Sequence, residues 1–175
     1  ATRGTVAPLD LSDCFLVSPG FGSTGLVKRS LFAEVGDFDE SLRSVEDRDM
    51  MLRLTRSGRR IAVAHGDYVT IRTHASNMSR KAGTMEQHFR AVLKKTFAWP
   101  ETRYRLGLRA RAYAFFYWDS AWTHFMEGDR WKAFTRLCRS LLLYPLPGGP
   151  DFCRWPFGRW KVLARIVFGD RLLGL

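Results

Sequence analysis

The acids between Asp39 and Asp49 are the side chains best suited to chemistry. Glu46 and Asp47 stand side by side where loop gives way to helix, in Ser44-Val45-Glu46-Asp47-Arg48-Asp49. Acids in a first helical turn complement the positive end of the helix dipole, which accounts for one or two of them. An adjacent pair at that junction also offers a rigidly held carboxylate that can face a cleft. Such a group takes a proton from a hydroxyl, as a general base does. Asp47-Arg48-Asp49 spells Asp-x-Asp, but inside a helix signature and not at a strand end after a nucleotide-binding unit, so it is assigned no metal. Gly20–Gly25 lacks the lysine and helix of a phosphate loop. His65, His88 and His124 have no metal-ligand spacing with one another or with Cys14, Cys138 and Cys153, and are read as structural. The three cysteines, odd in number and far apart, read as reduced buried thiols of a cytoplasmic protein.

The elements that hold these residues follow from pattern and punctuation. A helical turn is expected near Leu9–Phe15, and a turn into a short strand over 22–28. One helical turn from Arg29 to Glu34 is ended by Gly36. Ser44, with an acid three residues later, is expected to cap a helix running to about Ser57, with Gly58 closing it. Ile61–His65 and Tyr68–Arg72 read as two short strands around Gly66-Asp67. After a polar loop the pattern turns helical throughout. Thr84 and Gln87 spell a capping box before Met85, Phe89, Val92, Leu93 and Phe97 at helical spacing. Pro100 breaks that helix, and a long aromatic one follows over about Thr102–Met126. Gly128-Asp129 is a turn, Arg130–Tyr144 a further helix, and Pro156 opens a last one to about Phe168.

Five pieces occur in order: Ser23-Thr24 before Lys28-Arg29, Gly36-x-Phe38-Asp39-Glu40, Glu46-Asp47 with Arg53, Arg72-x-His74, and Ser79. Together, over about Phe21–Ser79, they resemble the acceptor-side half of family 2 glycosyltransferases, which have the GT-A fold. The family usually shows two glycines before Phe-Asp-Glu, and here Asp37 takes the second place. The resemblance implies that Asp47 is the general base of an inverting sugar transfer and that Glu46 orients it or binds acceptor hydroxyls. It implies substrate-side positions for Ser23, Thr24, Arg53 and Arg72, with Arg53 a buried partner fixing the acids and Arg72 offsetting phosphate charge. His74 matches a histidine near the metal and the diphosphate and is the candidate metal ligand, its neutral imidazole suiting Mn²⁺. A divalent metal, Mg²⁺ or Mn²⁺, is then expected for the full-length enzyme, with a nucleotide-sugar donor and a glycan or lipid-linked acceptor. The donor-binding half, with its own Asp-x-Asp motif, is not in this sequence. The chain is therefore expected to be a C-terminal portion and inactive by itself. Gly128-Asp129, Ala133, Leu141 and Pro145 also resemble the second helix of a tetratricopeptide repeat. A single copy builds a helical hairpin and not a solenoid.

The expected fold class is α+β, mostly α: a partial GT-A-like α/β segment with a few short strands over 1–83, then an all-helical extension over 84–175. Composition divides near the same place. The 175 residues carry a net charge of +11, yet residues 1–84 hold 12 Lys+Arg against 10 Asp+Glu, and 85–175 hold 16 against 7. All six tryptophans lie in the second part. Aromatic and arginine-rich faces suit an anionic membrane surface, and the final helix, with Trp155, Arg159, Trp160, Lys161 and Arg165, is the best candidate for it. The expected location is cytoplasmic, peripheral to the inner face of the membrane. A nucleic-acid-binding domain has no helix-turn-helix, RNA-recognition or zinc-finger pattern behind it. A non-catalytic helical interaction module is the alternative reading.

Overall fold

The structure is a computed structural model that describes residues 8–16, 24–62, 70, 72, 81–146 and 158–168. The chain divides into two units, Ala1–Ala75 and Ser76–Leu175. The described residues are mostly helical. Seven helices occur among them: α1 (Leu11–Cys14), α2 (Arg29–Val35), α3 (Glu46–Arg56), α4 (Ala82–Thr96), α5 (Leu106–Met126), α6 (Arg130–Leu143) and α7 (Gly158–Phe168). The one β pairing among the described residues is an antiparallel bridge between Leu9 and Ile61, made by amide–carbonyl bonds of 2.8 and 3.0 Å.

In the first unit, α1 opens on a reciprocal capping box. The Asp10 carboxylate accepts from the amides of Ser12 and Asp13, while Asp13 accepts from the amide of Asp10. The unit's core is Cys14, Phe15 and Leu16 together with Met50, Met51, Leu52 and Leu54 of α3, and both α1 and α2 pack on α3. Burial pushes the Cys14 thiol up to about 11, against a hydrogen bond from Thr55 that lowers it, so this thiol stays protonated at neutral pH. Gly36 ends α2 with φ 83°, and Gly58 follows α3 with φ 84°, as the glycine positions suggest. Residues 25–28, expected as a strand, are irregular. The strands expected over 61–65 and 68–72 lie largely outside the described residues.

Two expected caps are not used. Before α3 the cap position is Val45, in the left-handed region, and no side chain caps the helix. The Ser44 hydroxyl is buried without a hydrogen-bond partner. A serine cap needs extended backbone at the cap itself, and the turn at Val45 moves Ser44 out of that place. Helix α4 begins at Ala82, ahead of Thr84. Its first amide donates instead to a Glu127 carboxylate oxygen, 2.7 Å away at the end of α5.

The second unit packs its helices in chain order: α4 on α5, α5 on α6, α6 on α7. Phe89, Val92 and Leu93 of α4 and Ala112, Phe115 and Phe116 of α5 are buried, with Phe89 edge-on to Phe116 at 5.3 Å. The corner at Pro100 is tied by Thr102, whose buried hydroxyl donates to the Thr96 carbonyl at 2.5 Å. Helix α5 accordingly starts at Leu106, later than the periodicity predicts. Gly128, φ 88°, turns α5 into α6, and Asp129 caps α6 by accepting from the Lys132 amide. Ala121, Ala133, Leu137 and Leu141 form a core with Ile166 of α7. The last helix is therefore docked on its neighbours. Arg159, expected on a surface, is buried and donates to the Ser140 carbonyl and hydroxyl and to the Leu146 carbonyl. Leu137 is fully buried between these helices. Leu137→Ala is expected to lower the unfolding free energy by about 2–5 kcal/mol, read by urea denaturation followed by circular dichroism.

Candidate functional site

Glu46 and Asp47 occupy the first turn of α3, both half-buried. Asp47 accepts from the Arg48 amide at 2.7 Å, which fixes its carboxylate against the helix start. Directly before the pair, Val45 has φ 56° and ψ 20°. A β-branched residue resists that conformation, at a cost of about 1–3 kcal/mol. Val45 is the one non-glycine with positive φ among the described residues. The backbone is thus held under strain where the two acids emerge.

Arg53 is what positions this helix. Its Nε donates to Asp49 at 2.8 Å, and its terminal nitrogens donate to the carbonyls of Val35 at 2.6 Å, Gly36 at 3.0 Å and Asp37 at 2.8 Å. Asp49 is fully buried and one turn from Arg53 on α3. One guanidinium therefore neutralises a buried acid and closes the negative end of α2. Arg53, read from the sequence as the partner of Glu46 and Asp47, bonds Asp49, which was not taken as a candidate. The bonds defined for Arg53 go to Asp49 and the backbone, not to Glu46 or Asp47, and they give it a positioning role. Thr24 and Arg72 are exposed in the same unit. Ser23 and His74 lie outside the described residues. With Asp49 buried on Arg53, Asp47-Arg48-Asp49 does not present two carboxylates to one ion. Among the described residues no three metal-ligating side chains converge.

The second unit holds a cluster that residue spacing did not reveal. Glu86 of α4 accepts from Ser120 at 2.9 Å, Arg136 at 2.9 Å and Arg90 at 2.8 Å, and His124 Nε2 lies 3.4 Å away. Burial alone would push the Glu86 carboxyl up. The Arg136 and Ser120 hydrogen bonds, the Arg136 charge and the His124 contact outweigh it and bring the group down to about 2. Serine, histidine and an acid invite comparison with a nucleophilic triad, but there the histidine sits between the other two. Here Ser120 and His124 both address the carboxylate, so nothing draws the serine proton toward the ring. An acid held so low is also a poor base. The cluster acts as an ionic lock between α4, α5 and α6. The pairs Glu86/Arg90 and Ser120/His124, each one turn apart, were its only trace in the sequence.

Two outcomes follow. Arg53→Lys keeps the charge but loses the planar fork, and is expected to cost about 1–3 kcal/mol of stability in urea titration. Glu86 is depressed from 4.5 to about 2, so it stabilises the fold in full above pH 4.5, and this contribution is lost as pH falls from 4.5 toward 2. The gap in melting temperature between the wild type and Glu86→Gln is expected to be widest above pH 4.5 and to shrink toward pH 2. No family model, curated protein or solved structure matches this chain.

Proposed function

We propose that this chain carries the acceptor-side, base-bearing part of an inverting glycosyltransferase resembling family 2, with Asp47 as general base. The observation that carries the reading is the Glu46-Asp47 pair at the start of a helix locked by Arg53, immediately after the strained Val45. Strain of this kind gathers at sites where a group must be held in one position. Asp47 takes the proton of the acceptor hydroxyl as its oxygen bonds to the anomeric carbon. The bond from that carbon to the nucleoside diphosphate breaks on the opposite face, which inverts the centre. Glu46 binds acceptor hydroxyls beside it. Thr24 and Arg72 belong to the substrate side in this reading, together with Ser23 and His74. The proposed GT-A-like portion is completed by a donor-binding half outside this sequence. The divalent metal belongs with that half, with His74 as the ligand this chain would offer; Asp49, committed to Arg53, does not fit as one. A cytoplasmic location is proposed with the activity, in keeping with the free thiols of Cys14 and Cys138.

The test is Asp47→Asn in the complete polypeptide that contains this chain, assayed by nucleoside diphosphate release from a panel of nucleotide sugars. Turnover is expected to fall by about 10²- to 10⁴-fold with the melting temperature unchanged. Undiminished turnover would reduce Asp47 to an acid that complements a helix dipole.

A further inference from the structure

The two last helices are alike in one respect. Neither α6 nor α7 contains an aspartate or glutamate, and both carry several arginines and lysines. Two of these, Arg136 and Arg159, turn inward to Glu86 and Ser140. On the outward side of α6, Trp131 and Leu142 are 73% and 84% exposed. They lie three turns apart and so share a side, with Cys138 on the same stripe and Arg139 beside it. Trp131 is not loose: its ring stacks on Phe134, centroids 6.0 Å apart, and Phe134 rests on the core. On α7, which packs on α6, Trp160 and Val167 are 47% and 52% exposed, two turns apart, with Lys161 next to the first. Large apolar side chains thus stand beside the exposed cations Arg139 and Lys161, while Lys132 is paired with Asp129 at 2.9 Å.

We propose that the outward side of α6 and α7 rests on an anionic phospholipid bilayer. Trp131, Leu142, Trp160 and Val167 enter the headgroup region, and Arg139 and Lys161 meet lipid phosphates. Charge selects this occupant. A second copy would set Arg139 and Lys161 against their own counterparts, and like charges so placed repel. A nucleic acid would satisfy the cations but offer no apolar medium to Leu142 and Val167. A bilayer interface supplies both phosphate and hydrocarbon. No described helix is long and apolar enough to cross a membrane, so the contact is parallel to the surface. It extends over the helix pair and not the last helix alone, because Arg159 and Ile166 of that helix are already spent on the protein interior. The inference does not rest on the role given to Asp47.

The experiment is flotation of the full chain with phosphatidylcholine vesicles, with and without phosphatidylglycerol. Flotation is expected only with the anionic lipid, and is expected to weaken at about 1 M salt, where the screening length falls to about 3 Å. The double variant Trp131→Ser, Leu142→Ser is expected to bind at least about tenfold more weakly while still melting in one cooperative step, since both side chains are mostly in solvent and only the Trp131 stack on Phe134 is lost. Acyl chains brominated near the headgroup are expected to quench tryptophan fluorescence, less so in Trp131→Phe. The proposal is overturned by absence of flotation at low salt, by flotation that the double variant leaves intact, or by a dimer in sedimentation that the double variant dissolves.

Discussion

A carboxylate leaves water only where other donors replace its hydration, and each unit is arranged about one such acid. In the first it is Asp49, in the second Glu86. Arginine answers both, and the reason is its shape. A guanidinium presents donors in a fixed plane, so Arg53 can face Asp49 with one edge and the carbonyls of Val35, Gly36 and Asp37 with the rest. The same group that neutralises the interior acid fixes the angle between α2 and α3, and with it the direction in which Glu46 and Asp47 leave the helix. Around Glu86, Arg136 and Arg90 do the corresponding work with help from Ser120. A few of the arginines, Arg53 and Arg136 among them, are thus interior architecture, a use of basic residues that net charge alone does not disclose.

The parts legible in the sequence are those decided by near neighbours. Gly36 and Gly58 mark the ends of α2 and α3, and Gly128-Asp129 marks the hairpin, because the backbone conformation a glycine permits is a local property. The apolar spacing of Phe89, Val92 and Leu93 names the buried side of α4 for the same reason. The caps failed where the deciding fact was elsewhere. Ser44 depended on the conformation of Val45. The first amide of α4 found Glu127, far along the chain, instead of Thr84. Arg159 looked like a surface residue because its type usually is, and nothing local announced the Ser140 and Leu146 carbonyls that receive it.

The candidate site shows the same division. The adjacent acids were visible as a pattern, and so was the presence of an arginine to hold an acid. Which acid it holds was not. Asp49 and Arg53 are one turn apart on α3, while the pair Glu46-Asp47 sits nearer the helix start, and only the packing of α2 decides between them. The polar cluster at Glu86 joins residues from three helices, so no window of sequence contains it.

The sequential packing of the second unit bears on how it is reached from the unfolded chain. Within this unit each helix from α5 to α7 lies against the one before it, and the turn at Gly128 brings α5 and α6 together across very few residues. Loop closure is therefore short at almost every step, and local contacts dominate, the topology that correlates with rapid folding. The long ties, Glu86 to Arg136 and Glu127 to the start of α4, can form late, once neighbours have already met. They then act less on the speed of assembly than on how slowly the finished helices come apart.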